Sequence, residues 1–379
     1  MRNLIFPALA DIHTPCYVLD EAKLLHNLQI LRGVQERTGC RILLAQKAFS
    51  MFSVYPTIAK FLCGTTASGL YEAKLGRECF DGEVHIYAPA YRKEDFSEIV
   101  ETADHIVFNS FAQLAKFRAQ CKGKSIGIRV NPECSTQQHG DIYDPCAPYS
   151  RLGVTAAQFD EAAFDGIDGI HFHTLCEQNS DDLAMTLAAV EEKFGKYLHR
   201  CKWVNFGGGH HITRKNYDIS LLEKLITDFQ KKYDVTVYLE PGEAVALNAG
   251  YLVTEVMDIV DNGKQIAILD ASAACHMPDV LEMPYRPPLF ESGEDGEKKY
   301  SYRLSSCTCL AGDIIGDYSF DTPLAIGDRL CFEDMAIYSM VKNNTFNGMP
   351  LPEIGILHTD GTYQTVKQFD YQDFKERLS

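Results

Sequence analysis

Four segments of this chain place a chemically useful residue at or just after the end of a short apolar run. Lys47 follows "RILLAQ", His171 and His173 lie in "GIHFHT", glycines 207–209 follow "WVNF", and Glu240 follows "VTVYL". A lysine at the end of a buried strand is costly to keep charged, so its amine becomes nucleophilic, as a Schiff base with an aldehyde requires. Consecutive glycines let backbone N–H groups close on an anion.

These residue types match the parts of pyridoxal 5′-phosphate, which carries an aldehyde, a phosphate and a pyridine nitrogen. We expect Lys47 to bind the aldehyde, Glu240 to hold the nitrogen and His173 to stack on the ring, with His171 in a second layer. The expected phosphate ligands are Gly207, Gly208 and Gly209. Taken singly, each of these residues also fits a purely structural interpretation, as a surface lysine, a flexible turn or a core histidine.

The elements that must position these residues alternate between apolar runs and amphipathic stretches. Strands are predicted at 41–46, 64–69, 84–89, 105–110, 126–131, 169–174, 203–208 and 235–242. Eight strands alternating with helices over roughly 230 residues indicate a (β/α)8 TIM-type barrel, whose active site lies at the carboxyl ends of the strands. An open doubly wound sheet would need a glycine-rich fingerprint after the first strand, and the sequence has none there.

The chain beyond residue 248 is β-rich and contains no long helical pattern. The N-terminal "TPCYVLD" also reads as a strand and is expected to join these later strands. We therefore predict a barrel over 22–247 and a β-sandwich or β-barrel domain built from 1–21 and 248–379.

Composition limits the classes of partner. The 379 residues carry a formal net charge of −16, which argues against nucleic acid or an anionic membrane as a partner and favours a cationic substrate. The 13 cysteines have no disulfide or zinc-ligand spacing, so we expect reduced thiols, a cytoplasmic protein and no metal site. The start "MRNLIFPALAD" is too short for a secretory signal, and no apolar stretch reaches transmembrane length.

Several motifs resemble the alanine-racemase-like pyridoxal phosphate decarboxylases, the group of ornithine, arginine and diaminopimelate decarboxylases. They include "LAQK", "ASGLYEA", "RVNP", "SRLG", "HFHT", "GGG", "EPG" and "YSMVKNNTFNG", spread over nearly the whole chain. The resemblance implies a pyridoxal phosphate decarboxylase that forms a homodimer with shared active sites. "HFHTLCEQ", "EPGEA", "MPDVLEMPYRPPL" and "CLAGD" are similar to one branch, which implies a polyamine carboxylic acid as substrate.

One departure from the family pattern bears on the substrate. Relatives carry arginine in E-P-G-R, whereas this chain has Glu243. A carboxylate at this position cannot hold a phosphate, but it can pair with a substrate amine. Asp279 matches an acid that binds the substrate amine in relatives, and Asp313 follows the motif cysteine, so both are further candidates for substrate binding.

The resemblance also implies roles for residues near the C-terminus. Cys309 in "CTCLAGD" matches the cysteine that protonates the product, and Tyr338 matches a tyrosine that reaches the cofactor phosphate. Cys307 lies two residues before Cys309 and is the alternative thiol. Alternatives for the whole protein are a decarboxylase of another basic amino acid, a racemase on the same scaffold, or a non-catalytic cofactor-binding protein.

Overall fold

The computed structural model describes residues 7–137 and 141–379. The strands are β1 (Cys16–Asp20), β2 (Arg41–Ala45), β3 (Gly64–Ala67), β4 (Glu83–Tyr87), β5 (His105–Phe108), β6 (Ser125–Arg129), β7 (Gly169–His171), β8 (Trp203–Asn205), β9 (Thr236–Leu239), β10 (Gly250–Asp261), β11 (Gln265–Leu269), β12 (Tyr300–Ser306), β13 (Ile314–Phe320), β14 (Arg329–Glu333), β15 (Glu353–Leu357) and β16 (Tyr363–Lys367).

The α-helices are α1 (Glu21–Thr38), α2 (Tyr55–Ile58), α3 (Leu70–Cys79), α4 (Phe96–Thr102), α5 (Phe111–Phe117), α6 (Ser180–Leu198), α7 (Ile219–Tyr233), α8 (Glu243–Ala246), α9 (Ala273–His276), α10 (Asp279–Glu282), α11 (Ser339–Lys342) and α12 (Tyr371–Glu376). The chain divides into two compact units. The barrel unit is Asn27–Val245, and the sheet unit combines Met1–His26 with Ala246–Ser379.

The barrel unit contains a closed ring of parallel strands. Strands β2 to β9 pair in chain order, and β2 pairs with β9 to close the ring. The predicted (β/α)8 architecture is therefore confirmed, and every predicted barrel strand overlaps an observed one. The carboxyl ends of all eight strands consequently meet at one mouth.

Two long helices show how the sequence fixes the outer layer of the barrel. In α6, Leu183, Leu187, Val190 and Phe194 recur every three or four residues and are buried, so one stripe faces the barrel. Helix α7 begins where the side chain of its N-cap, Asp218, accepts a hydrogen bond from Leu221 N–H. Such a cap contributes about 1 kcal/mol and sets the residue at which the helix begins.

The interior of the barrel below the mouth is filled by the single tryptophan of the chain. Trp203 packs with Leu43, Val107 and Tyr238. Its ring occupies space left by Gly127 and Gly169, since a Cβ atom at these positions would lie 2.4 and 2.2 Å from the indole. The ring therefore closes the barrel beneath the mouth, and cavities at the mouth have a solid floor.

A charged cluster lies at the opposite, amino-terminal end of the barrel strands. Glu83 is 2.7 Å from Arg41 and 3.1 Å from His85 Nε2, and the His85 ring stacks on His105 with centroids 3.9 Å apart. Among the described residues, Glu83, His85 and His105 are the group close enough to share a metal ion. The two imidazole rings are nearly parallel and stacked, and Arg41 already pairs with the Glu83 carboxylate.

The sheet unit is built around β10, which pairs with β1, β11 and β14. The strand order is β13-β12-β11-β10-β1-β15-β16, with β14 attached to β10. The N-terminal strand β1 thus lies between two C-terminal strands, as the sequence predicted, antiparallel to β10 and parallel to β15. Within the described ranges, no helix has both the length and the apolar character needed to cross a membrane.

The stacked histidines predict a pH dependence of stability. Burial and the neighbouring His85 lower the pKa of His105 to about 3, whereas an unfolded histidine titrates at about 6.5. Between these values the unfolded chain binds a proton that the folded chain does not, so the free energy of unfolding falls as the pH decreases. His105→Phe keeps a stacking ring without a titrating group. Its stability should therefore decrease less between pH 6.5 and 4.5, by up to about 1 kcal/mol per pH unit.

Urea unfolding of the wild type, His105→Phe and His199→Phe across this pH range measures the effect. His199 is an exposed imidazole outside the cluster, so its variant controls for the loss of a histidine as such. Equal pH slopes for wild type and His105→Phe would contradict the assignment.

Candidate functional site

Lys47 lies two residues beyond the end of β2, at the barrel mouth. Its position is fixed by the preceding residue, Gln46, which is fully buried. Gln46 Nε2 donates to the carbonyl oxygen of Glu72 at 2.7 Å, and its Oε1 accepts from the Tyr55 hydroxyl at 3.1 Å. The backbone is thereby held on both sides, and the lysine side chain projects into the mouth.

The electrostatic surroundings of Lys47 favour loss of its proton. Burial lowers the pKa of the amine, the nearby Arg129 guanidinium lowers it further, and the Glu240 carboxylate acts in the opposite direction. Solvent in the mouth still reaches the side chain. The result is an accessible amine whose charged form is disfavoured, which is the state a nucleophilic lysine needs.

A cavity of about 580 Å³ opens around Lys47. Its floor includes the sequence-predicted residues Lys47, His171, His173, Gly208 and Glu240. One wall is the segment 142–152, here called the mouth loop, which follows β6. Four of the predicted strand ends therefore contribute to one concave site.

Glu240, the residue after β9, is held by hydrogen bonds at both oxygens. Asn205 Nδ2 donates to Oε1 at 2.8 Å, and His171 Nε2 lies 3.2 Å from Oε2. Burial alone would raise the pKa of Glu240, but the contacts with His171 and Asn205 outweigh it and lower the pKa. Glu240 is therefore ionised at neutral pH, and each oxygen keeps a lone pair for a further donor.

The glycine turn after β8 allows the backbone to pass close to its neighbours. Gly207 and Gly209 have φ of +71° and +79°, a region that side chains disfavour. A Cβ atom on Gly208 would lie 2.5 Å from the Glu240 carbonyl oxygen. Gly208 N–H is 3.0 Å from His173 Nδ1, which fixes the imidazole ring beside the turn. Burial holds the pKa of His173 well below its ordinary value, so the ring is neutral.

Two functional candidates at the mouth were not assigned from the sequence. Arg129, the last residue of β6, is buried, donates to the carbonyl oxygen of His173 at 3.1 Å and lies over the Tyr87 ring. Asn205 ends β8 and orients Glu240. Arg129 and Asn205 are each the last residue of a barrel strand, and the assigned residues lie at or just beyond such ends. Position at the end of a strand was therefore the sequence signal that could have identified them. The mouth loop was recognised only as long and polar.

Cys309 and Cys307, predicted as alternatives, are both exposed in the sheet unit. The backbone N–H of Cys309 donates to Asn347 Oδ1 at 2.8 Å, whereas Cys307 Sγ lies 3.2 Å from the Leu269 carbonyl oxygen. Burial raises the pKa of the Cys307 thiol. Tyr338 precedes α11 with φ of +55°, an unusual conformation for a bulky residue and one often found at functional sites.

Asp313 does not have the environment that a substrate-binding acid needs. It is 1% exposed, and its carboxylate accepts hydrogen bonds at both oxygens. The donors are Ser272, Ser306 and Thr308 hydroxyls and Ala273 and Ala274 N–H groups. The carboxylate is therefore used within the fold, which argues against the substrate role predicted for Asp313 from the sequence. Asp313 instead fixes the segment that carries Cys309.

The other two predicted substrate acids lie at the starts of short helices. Glu243 begins α8, directly after the barrel strands, and Asp279 begins α10 in the sheet unit. The Asp279 carboxylate is 2.5 Å from Lys342 Nζ, and the same ammonium also contacts Glu282. Asp279 thus has a geometry that accepts a primary ammonium group, which here belongs to the protein itself.

The barrel mouth fits pyridoxal phosphate on its own geometry. A lysine amine whose charged form is disfavoured, an ionised carboxylate and a glycine turn line or adjoin one cavity. Arg129 Nε and His171 Nδ1 are buried and have no hydrogen-bond partner among the described residues. Buried polar atoms that lack a partner beside a cavity indicate a polar ligand.

Comparison with known protein families gives one match over most of the chain. A family model described as "Pyridoxal-dependent decarboxylase, C-terminal sheet domain" matches residues 16–336. The carboxynorspermidine/carboxyspermidine decarboxylase of Campylobacter jejuni is 44% identical over 377 residues, covering 97% of this chain and 98% of the relative. The carboxyaminopropylagmatine decarboxylase of Synechocystis is 42% identical over 376 residues, covering 98% and 97% respectively.

Solved structures agree with these sequence matches. The crystal structure of carboxynorspermidine decarboxylase from C. jejuni, complexed with norspermidine, has a TM-score of 0.91 and 43% identity, covering 97% of this chain and 100% of that one. Diaminopimelate decarboxylase from Helicobacter pylori has a TM-score of 0.82 at 18% identity, covering 97% of each chain, and shares the fold.

The glycine turn predicts a sharp difference between two alanine substitutions. Gly209→Ala would force an alanine to φ of +79° and place its Cβ 2.0 Å from the Leu175 carbonyl oxygen. The free energy of unfolding should fall by at least about 2 kcal/mol. Gly69→Ala is the matched control because a Cβ there meets nothing within 4 Å, so its effect should stay within about 0.5 kcal/mol. Equal urea midpoints for the two variants would contradict the requirement for glycine at position 209 of the turn.

Proposed function

Since this chain belongs to the family of pyridoxal-dependent decarboxylases, we propose that it decarboxylates carboxynorspermidine and carboxyspermidine to norspermidine and spermidine in polyamine biosynthesis. The observation that carries the proposal is the union of Lys47 and Glu240 in one barrel-mouth cavity, in a chain 44% identical to a decarboxylase of these two substrates.

The cofactor, pyridoxal 5′-phosphate, supplies an electron-poor ring that accepts the electron pair left when the Cα–carboxylate bond breaks and carbon dioxide leaves. The residues of the chain do the remaining work. Lys47 would offer the amine for the aldehyde, and Glu240 would accept a hydrogen bond from the protonated ring nitrogen. His173 would pack against the ring, and the glycine turn would adjoin the phosphate.

The return of a proton to the substrate needs an acid near Cα. We assign this step to Cys309, whose thiol is exposed, and assign Tyr338 to the cofactor phosphate. Both residues belong to the sheet unit, and family resemblance assigns Cys309 to the partner's active site. We therefore propose a homodimer in which each site uses residues of two copies. The 13 unpaired cysteines support a cytoplasmic location, where thiols stay reduced.

The remote ammonium groups of the substrate need acidic partners. Glu243 replaces the arginine of the family motif, which removes a positive charge that would repel a polycation. Asp279 already holds the Lys342 ammonium at 2.5 Å, so a substrate ammonium would share or displace that contact. We propose both as substrate-binding residues.

Carboxyaminopropylagmatine is a second candidate substrate. The decarboxylase of Synechocystis that carries this name is 42% identical, which is close to the value for the C. jejuni relative. A substrate panel must therefore include it.

Carbon dioxide release tests the proposed function. The wild-type holoenzyme should release carbon dioxide from carboxynorspermidine and carboxyspermidine with kcat/KM at least about 100-fold above that for ornithine, lysine, arginine and meso-diaminopimelate. Lys47→Ala should lose both activity and the visible absorbance of the bound cofactor, because the anchoring amine is gone. Lys60→Ala, at an exposed lysine, should retain both.

A panel result in which carboxyaminopropylagmatine exceeds the two named substrates would reassign the substrate within the same reaction. Preference for diaminopimelate or ornithine would overturn the polyamine assignment. Visible absorbance retained in Lys47→Ala would remove Lys47 as the anchor.

Mixed dimers test the shared site and the choice of thiol. Lys47→Ala and Cys309→Ala should each be inactive as pure dimers. A purified mixed dimer contains one site with both residues intact and should recover about half of the wild-type activity. Cys307→Ala, the matched control two residues away, should remain active. Two tags on the co-expressed chains isolate the mixed dimer. An inactive mixed dimer, or failure to form any dimer, would contradict the shared site.

A further inference from the structure

The mouth loop adds an acidic and aromatic wall to the cavity around Lys47. Its cavity-lining residues include Tyr143, Asp144 and Tyr149, together with prolines 145 and 148. None of these residues was assigned a role from the sequence.

The loop is fixed to the barrel at its C-terminal end, where two sets of hydrogen bonds hold it. Asn131 N–H donates to the Val154 carbonyl oxygen at 2.8 Å, and Val154 N–H donates to that of Arg129 at 2.9 Å. Asn109 adds a second clamp, donating to the Arg151 carbonyl oxygen at 2.8 Å and accepting from Gly153 N–H at 2.7 Å. A loop anchored in this way is a built wall of the site.

Asp144 has an orienting contact that leaves its charge available. Its Oδ1 accepts from Cys146 N–H at 2.8 Å, which forms a tight turn and sets the direction of the side chain. The residue is half-buried and lines the cavity. Among the described cavity-lining residues, the acids are Asp144 and Glu240, and Glu240 is engaged by His171 and Asn205. Asp144 is thus the acid on the substrate side of the mouth.

The aromatic neighbours match the remaining chemistry of a polyamine. A polyamine alternates ammonium groups with short methylene chains, so its binding site needs both carboxylates and apolar faces. Tyr143 is half-buried beside Asp144, and the Tyr149 side chain is fully exposed with φ of +65°. A bulky residue held in this conformation, with its ring uncovered at a cavity mouth, is typical of a ligand contact.

We propose that Asp144, with the rings of Tyr143 and Tyr149, binds an ammonium group of the substrate remote from the carboxylate that is lost. Asp144 is therefore a specificity-determining residue. This inference rests on the proposed function for the identity of the substrate. Arg151 on the same wall carries the opposite charge. An ammonium group is therefore favoured at Asp144 and disfavoured near Arg151.

Asp144→Asn isolates the charge, because asparagine keeps the oxygen that accepts from Cys146 N–H. Asp160→Asn is the matched control: Asp160 is an exposed residue of the same unit, its Oδ1 accepts from Ala163 N–H at 3.0 Å, and it does not line the cavity. Norspermidine binding to the holoenzymes is measured by calorimetry, with butylamine as a probe that has a single amine. The KM and kcat for carboxynorspermidine are measured alongside.

We expect Asp144→Asn to weaken norspermidine binding and raise KM by about tenfold, the effect of losing one charged hydrogen bond. The kcat should change by less than about twofold, butylamine binding should be unchanged, and high salt should shrink the difference. Asp160→Asn should behave as wild type, and Asp144→Glu should recover part of the affinity.

Norspermidine affinity equal in wild type and Asp144→Asn overturns the proposal, as does an equal loss of butylamine affinity, which would indicate a distorted cavity. Because calorimetry does not depend on turnover, these outcomes are separate from failure of the proposed function. An enzyme that releases no carbon dioxide from carboxylated polyamines, yet binds norspermidine through Asp144, would keep this inference and lose the other.

Discussion

The barrel mouth must hold an ionised carboxylate beside an amine whose pKa is lowered, and the rest of the site depends on this balance. Removing water raises the free energy of both charged forms. The surrounding residues stabilise the charged form of Glu240 but not that of Lys47. Glu240 receives two hydrogen bonds and keeps its charge, whereas Lys47 lies near Arg129 and loses part of its preference for the proton. Neighbouring side chains thus set the protonation of Lys47 and Glu240.

This balance explains which parts of the site could be predicted from sequence. Strand alternation located the barrel, and strand ends located Lys47 and Glu240, because the carboxyl ends of parallel strands share one mouth. The hydrogen bonds of Asn205 could not be predicted in this way, since a buried asparagine has no periodic signature. For Asp313, the sequence predicted the position of the residue but not its role. A motif supplied its position, but only three-dimensional contacts revealed that its carboxylate has no free capacity.

The contribution of the mouth loop to the cavity was not predicted from the sequence, for a different reason. Its sequence has neither helical nor strand periodicity, so pattern reasoning could only describe it as polar. Its role follows from anchoring contacts of Asn109 and Asn131, which come from other parts of the barrel unit. Loops carry specificity because a rigid scaffold presents them, and that scaffold is visible only after folding. In the proposed function, the strand ends hold the cofactor and the loop binds the remote part of the substrate.

Trp203 gives the molecule a property that its packing role does not require. It is the single tryptophan of the chain, and it is buried beneath the cavity among barrel residues. Its fluorescence, excited selectively over that of tyrosine, therefore reports on the barrel unit, because the sheet unit contains no tryptophan. Light absorbed by this ring can also be transferred to a chromophore bound in the mouth above it. The protein thus contains its own optical sensor of cofactor occupancy, placed there by two glycines that leave room for an indole.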